Sequence, residues 1–121
     1  MAQLISLKTF TDNRGNLTVI EKVLPFEIKR IFYIYGTDQQ ERGGHRHKTT
    51  IQAAICLKGH CRIRNHNGNN QESFFLNSPE KCLILQPEDY HSMYDFSADA
   101  ILMVVASTYF DEADYIFDDY D

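Results

Sequence analysis

The chain has 121 residues, a formal net charge of −5 and an isoelectric point of about 5.4. That length suits one domain with a single core, and the acidic balance argues against a general nucleic-acid binder, which usually carries a basic stripe. No apolar stretch approaches the roughly 18 residues that span a bilayer, and the N-terminus lacks a signal-peptide pattern. We therefore expect a single cytoplasmic domain over residues 1–121, without nucleic-acid or membrane partners.

Short segments typical of strands follow one another along the chain, separated by Gly, Asn, Asp or Pro. No segment has the pattern of an amphipathic helix of about ten or more residues. Such spacing predicts an all-β sandwich or barrel, whose interior is a natural small-molecule site. The predicted strands are Leu17–Glu21, Ile28–Tyr35, Ile51–Leu57, Cys61–Asn65, Ser73–Leu76, Lys81–Leu85 and Ile101–Ser107.

The basic run Arg42–Lys48 is the most informative part of the chain. His45 and His47 are two residues apart, so on a regular strand their side chains point to the same face. Two imidazoles beside several cations can either hold a metal or move protons next to an anionic ligand. A third interpretation is that both rings only satisfy hydrogen bonds in the core.

The metal hypothesis rests on a resemblance to the cupin superfamily, in which an H-x-H motif is followed by a glutamate and later by another histidine. His91 can supply that later ring, but Thr50 and Gln52 stand where the carboxylate is expected. A regular strand would also turn Gln52 away from the histidine pair. Three histidines alone still permit zinc or iron, so the hypothesis stays open.

Proton transfer needs no metal. A neutral imidazole can remove a proton next to a carbonyl group, and a neighbouring donor can stabilise the enediolate oxygen. Histidine suits this role because its ordinary pKa of about 6.5 lies close to cytoplasmic pH.

The cysteines and the acidic tail give weaker signals. Cys56, Cys61 and Cys82 are odd in number and form no C-x-x-C pair, which favours small buried thiols over disulfides. The acidic tail from Phe110 to Asp121 is predicted to be a solvated terminus with at most one short turn.

The whole chain resembles the bacterial nucleotide-sugar 3,4-ketoisomerases, cupin-fold proteins of the WxcM-like group. The resemblance is carried by five ordered segments, because a bare H-x-H alone would be weak. They are Asp12–Leu17, Pro25–Arg30 with Tyr33, Arg42–Lys48, His91–Phe96 and Tyr109–Ile116.

The resemblance implies a cupin-type jelly roll that acts without a cofactor or metal. It implies movement of the ketone of dTDP-4-keto-6-deoxyglucose from C4 to C3, and a homodimer that serves amino-sugar synthesis for surface polysaccharides such as O-antigen or S-layer glycan. His45 is then the leading proton shuttle, and His47 is the second acid/base or the oxyanion donor. Predicted substrate contacts are Arg14, Arg30, Tyr33, Arg42, Gln52 and His91.

Two alternatives compete with this interpretation. One is a metal-dependent cupin enzyme or a related sugar epimerase, and the other is a non-catalytic module that binds nucleotide sugars. The configuration that the product would carry at C4 does not follow from the sequence.

Overall fold

A computed structural model describes residues 1–120. In that range the chain forms twelve strands and one 3₁₀ turn, so the all-β prediction is confirmed. No helix in this range has the length and apolar character that crossing a membrane requires. The strands are β1 Gln3–Ser6, β2 Lys8–Asp12, β3 Gly15–Val19, β4 Arg30–Tyr35, β5 Arg42–His47, β6 Gln52–Lys58, β7 Cys61–His66, β8 Gln71–Leu76, β9 Lys81–Leu85, β10 Tyr90–Tyr94, β11 Ile101–Ala106 and β12 Tyr115–Ile116, and the 3₁₀ turn is Glu112–Asp114.

Ten of these strands form two antiparallel five-stranded sheets that pack as a sandwich. The first sheet has the order β1-β9-β6-β11-β4, and the second has the order β12-β5-β10-β7-β8. The remaining strands, β2 and β3, pair only with each other as a separate hairpin within the described residues. The hairpin therefore stands apart from both sheets.

The core lies between the sheets because alternate residues of each strand point inward. On β6, Ala54 and Cys56 belong to this interior cluster, together with Ile63 of β7 and Leu83 of β9. Ala53 and Ile55, the alternating residues of β6, belong to a second cluster on the outer face of the first sheet. All three cysteines are free and buried, as predicted.

The outer cluster is covered by the segment that joins β3 to β4. Ile20, Leu24 and Phe26 pack from this segment onto Ile55 and Val105. The first sheet is consequently buried on both faces near its centre, which explains the nearly continuous apolar sequence of β6.

A β-bulge shapes the strand that carries the histidine pair. His91 of β10 lies opposite His45, while the next residue, Ser92, lies opposite Gly43, so β5 holds one extra residue here. Gly43 has a φ of +83°, and a Cβ there would lie 3.0 Å from the carbonyl oxygen of His91. Only glycine fits this close approach between the two strands. The bulge therefore fixes the register in which His45 pairs with His91.

Candidate active site

A cavity of about 190 Å³ opens between the two sheets next to the bulge. It receives side chains from β4 and β6 on one side and from β5, β10 and β12 on the other. The lining residues are Phe32, Ile34, Arg42, Gly43, His45, Gln52, Met93 and Tyr115. Apolar walls with a few converging polar groups are typical of small-molecule sites.

A larger concavity, of about 310 Å³, lies on the β2–β3 hairpin and is lined by Phe10, Arg14 and Leu17 among others. The titratable groups that line it, Asp12 and Arg14, are exposed and pair with each other at 2.7 Å, whereas reactive sites usually hold titratable groups that burial perturbs. The smaller cavity is therefore the candidate active site.

Three imidazole rings cluster beside this cavity. The ring centroid of His45 lies 5.1 Å from that of His47 and 5.0 Å from that of His91. His47 and His91 stack at 6.2 Å. His45 is half-buried and lines the cavity, whereas His47 and His91 are almost fully buried behind it.

Burial keeps these rings neutral. It lowers the pKa of His45 to about 4, and the neighbouring His47 and Arg30 act in the same direction. Burial likewise lowers the pKa of His91 to about 3. The pKa of His47 is also lowered by burial, although its bond to Asp114 opposes the shift. At neutral pH all three imidazoles are uncharged and can act as bases.

The buried carboxylate of Asp114 holds one of these rings. Its Oδ2 lies 2.8 Å from Nδ1 of His47, and it also accepts a hydrogen bond from the hydroxyl of Thr50. Its Oδ1 accepts bonds from the backbone N–H groups of Lys48 and Thr49, at 3.1 and 2.8 Å, and from the Thr49 hydroxyl at 3.0 Å.

These hydrogen-bond donors keep the carboxyl group of Asp114 ionised. Burial alone would raise the pKa of Asp114, but the bonds from Thr50, Thr49 and His47 outweigh burial and hold the pKa well below its usual range. The acidic tail thus delivers one carboxylate into the interior, directly behind the histidine pair.

The prediction that the tail is a solvated terminus is therefore wrong for residues 114–116. Asp114 is buried, and β12 pairs with β5 so that Tyr115 lies opposite His47. The ring of Tyr115 lies 4.8 Å from that of His45 and 4.7 Å from that of His47. The predicted short turn exists as the 3₁₀ turn Glu112–Asp114, which Asp111 caps.

Of the predicted arginines, one lines the cavity and another lies close to a lining residue without lining it itself. Arg42 lines it directly. Arg30 contacts Phe32 and Phe110 through its guanidinium group at 5.7 Å, and its Nε is buried without a hydrogen-bond partner among residues 1–120. Its charge also acts on both His45 and His47. A buried guanidinium nitrogen with no partner indicates a place for an anionic ligand.

Gln52 lines the cavity from the first sheet and so faces the cavity that His45 lines from the second sheet. It is 2% exposed, and its Oε1 has no partner in the described residues. The expectation that it faces away was wrong because β5 and β6 belong to different sheets, whose inner faces oppose each other. His91 lies beside the pair, with Nδ1 held 3.0 Å from the carbonyl oxygen of Asp89, but it is buried behind His45 and is not among the residues that line the cavity, so its predicted contact with substrate stays a prediction.

Two predicted substrate contacts lie away from this cavity within the single chain. Arg14 is at the tip of the β2–β3 hairpin, where its exposed side chain pairs with Asp12 at 2.7 Å. Tyr33 is 63% exposed and alternates with the cavity-lining Phe32 and Ile34, so it points to the opposite face of β4. Both assignments stay predictions.

Sequence reasoning missed two residues of the site, Asp114 and Tyr115. Both lie in the segment Tyr109–Ile116, which the family resemblance singled out but to which no role was given. Among residues 1–120, no group of three or more His, Cys, Asp or Glu side chains is arranged to hold a metal ion. The carboxylate of Asp114, which contacts the histidine cluster, is already hydrogen-bonded to His47 and to the hydroxyl groups of Thr49 and Thr50.

Comparison with known proteins identifies the family. The family model FdtA, described as WxcM-like, C-terminal, matches residues 1–121. A curated TDP-4-oxo-6-deoxy-alpha-D-glucose-3,4-oxoisomerase from Aneurinibacillus thermoaerophilus is 44% identical over 117 residues, which cover 94% of this chain and 84% of that protein.

Solved structures agree with that match. The crystal structure of a 3,4-ketoisomerase from Helicobacter canadensis superposes with a TM-score of 0.92 at 39% identity, covering 97% of this chain and 90% of that chain. A mutant of the 3,4-ketoisomerase QdtA from Thermoanaerobacterium thermosaccharolyticum, in complex with TDP-4-keto-6-deoxyglucose, also gives 0.92 at 39% identity, with coverage of 97% and 87%. The cupin-type fold predicted from the sequence is confirmed, and the chain belongs to the FdtA family of WxcM-like proteins and with it to the sugar 3,4-ketoisomerases.

Proposed function

We propose that this protein moves the keto group of TDP-4-keto-6-deoxyglucose from C4 to C3 by histidine-mediated proton transfer. The observation that carries the proposal is a neutral His45 lining a cavity beside an unpaired buried arginine nitrogen, in a chain of this family. A substrate of this kind is bound by the related QdtA enzyme.

The reaction needs only proton movements. One imidazole removes the proton on C3, and the electrons form an enediol across C3 and C4 while O4 gains a proton. Loss of the O3 proton and delivery of a proton to C4 then leave the ketone at C3. The overall composition of the sugar does not change, so no oxidant or reductant is required.

The roles follow the placement of the rings. His45 is assigned as the shuttle between C3 and C4 because it lines the cavity. His47, 5.1 Å away between ring centroids, is the second acid/base. Arg30 and Arg42 are assigned to the diphosphate, because guanidinium groups bind phosphate oxygens through paired hydrogen bonds. Gln52 and His91 complete the sugar pocket.

A homodimer is part of the proposal. Phe10 and Leu17 lie opposite each other on the β2–β3 hairpin and are 53% and 61% exposed. An isolated two-stranded hairpin is only marginally stable in water, so an exposed apolar pair on one favours packing against a second copy.

The cellular setting is inferred from chemistry. Three free buried thiols are typical of a reducing compartment, which supports a cytoplasmic location. A 3-keto sugar nucleotide is a substrate for amination, in keeping with a role in amino-sugar synthesis for surface polysaccharides such as O-antigen or S-layer glycan.

Incubation of the purified protein with TDP-4-keto-6-deoxyglucose tests the proposal, with the product identified by NMR. We expect the 3-keto isomer, formed at the same rate with and without a chelator. Unchanged substrate that nevertheless binds would contradict the proposal and favour a binding module. Stoichiometric iron or zinc, with activity lost on chelation, would favour a metal-dependent cupin enzyme.

A further inference from the structure

We propose that Asp114 is a positioning residue for the isomerisation, which holds His47 in the tautomer with its proton on Nδ1 and leaves Nε2 free to accept a proton. This inference rests on the proposed function above. It assigns a role to the acidic tail, which sequence reasoning treated as solvent-exposed.

The carboxylate of Asp114 determines which nitrogen of His47 bears the proton. The side chains of Asp114 and His47 are 9% and 1% exposed, and they meet at 2.8 Å across 67 residues of sequence. An ionised carboxylate only accepts hydrogen bonds, so the nitrogen facing it must bear the proton. Nδ1 of His47 therefore donates to Asp114, and a neutral ring then has its lone pair on Nε2.

The other ring nitrogen of His47, Nε2, is available to accept a proton. Nε2 of His47 is buried and has no hydrogen-bond partner among residues 1–120. Buried polar atoms are nearly always satisfied, so an orphaned lone pair inside the fold indicates a functional demand. The His47 ring also contacts Tyr115 and the cavity-lining His45, which places this basic atom within the cluster that borders the cavity.

The carboxylate of Asp114 is itself held in a fixed position by hydrogen bonds. Its two oxygens are held by the backbone of Lys48 and Thr49 and by the hydroxyls of Thr49 and Thr50. Thr50 is itself bonded to Thr108 at 2.7 Å. Because these donors occupy its other lone pairs, the carboxylate cannot rotate away from His47. It therefore fixes both the tautomer and the orientation of the ring, as second partners of reactive histidines commonly do.

The variant Asp114→Asn tests the role. Asparagine has nearly the same shape, but its amide nitrogen donates to Nδ1 and so favours the tautomer with the proton on Nε2. We expect kcat to fall by about 100-fold or more, while the dissociation constant for TDP changes by less than about threefold. The nitrogen-15 NMR signals of His47 should show protonated Nδ1 in the native protein and protonated Nε2 in the variant.

Asp111→Asn is the matched control. It makes the same charge change three residues earlier, at an exposed side chain that only caps the 3₁₀ turn by accepting a bond from the backbone of Ala113. We expect this variant to keep the native tautomer of His47 and a kcat within about twofold of the native value.

Native kcat in Asp114→Asn, or a proton on Nε2 of His47 in the native protein, would overturn the proposal. The native spectrum decides even if the variant does not fold. The tautomer measurement needs no turnover, so it also stands apart from the proposed reaction: a native protein that fails to isomerise the sugar contradicts the function, whereas a reversed tautomer contradicts only the role of Asp114.

Discussion

The reactivity of single residues here depends on how deeply each imidazole is buried. His45 borders the cavity, and burial lowers its pKa to about 4. His91 is fully buried, with one nitrogen occupied by the carbonyl oxygen of Asp89. Of these three similar side chains, His45 lines the cavity, while His47 and His91 contact it from behind.

His45→Asn should keep the fold but lower kcat by about two or more orders of magnitude, the usual loss when an acid/base group is removed. The dissociation constant for TDP should remain within about threefold of native, because the arginines proposed to hold the diphosphate are intact. Steady-state kinetics and calorimetry measure the two effects separately. The same change at His66, which pairs with Asp119 outside the cavity lining, is the control. Near-native turnover in His45→Asn would show that another group is the base.

Arg30→Gln should chiefly weaken nucleotide binding. Loss of a charge-assisted hydrogen bond of about 1.5–3 kcal/mol corresponds to a rise of roughly 10- to 150-fold in the dissociation constant for TDP. Arg62→Gln is the matched control, since that guanidinium pairs with Asp95 and lies over Phe75 instead of the cavity. An unchanged dissociation constant in Arg30→Gln would remove this residue from the phosphate site.

The pH dependence of kcat/KM should reflect the low pKa of His45. A lowered pKa means that the ring stays neutral as the pH falls, so the base is lost only near its pKa of about 4. Activity at about pH 5.5 should therefore be close to that at neutral pH, provided circular dichroism shows the protein folded. An acid limb centred on the ordinary value of 6.5 would contradict the assignment of a buried base.

At the scale of strands, the β2–β3 hairpin stands out because, within the described residues, its two strands pair only with each other. Its exposed pair, Phe10 and Leu17, lies on a hairpin that joins neither sheet within residues 1–120. Light scattering should give a mass of twice 14.1 kDa, and Leu17→Ser should shift the population towards the monomer. Leu57→Ser, at an exposed position of β6, is the control. A native monomer at micromolar concentration would contradict the homodimer.

Elements with strong local patterns could be predicted from the sequence, and those without could not. The seven strands predicted from apolar residues and turn signals all exist, and their ends lie within two residues of the predicted ones. The short strands β1, β2 and β12 were missed. β1 and β12 pair with the distant strands β9 and β5, whereas β2 pairs with its neighbour β3 but holds only one apolar residue, Phe10. Whether such short segments form strands depends on tertiary packing, which local sequence propensity does not show.

The same limit applies to the site. His45 and His47 were found because both lie within one short run of the sequence. Asp114 was missed because its contact with His47 spans 67 residues and no local pattern marks it. The bulge at Gly43 also breaks the simple alternation of β5, so face assignments from the sequence hold only between such irregularities.

At the scale of the whole molecule, the sandwich brings strands from both sheets to a common cavity. β5 presents the histidines from the second sheet, while β4 and β6 of the first sheet present Arg30 and Gln52. The tail closes the arrangement from behind by adding β12 to the edge of the second sheet. Base, cation and polar pocket are thus positioned by different parts of one small β-fold, whose members include the 3,4-ketoisomerases.

Incubation with TDP-4-keto-6-deoxyglucose in deuterated water tests the central claim most directly. An imidazole that exchanges its proton with solvent must place deuterium on the sugar ring, so the account predicts a 3-keto product labelled at C4 and a recovered substrate labelled at C3. A substrate that binds but stays unlabelled and unchanged would contradict proton transfer by the histidine pair.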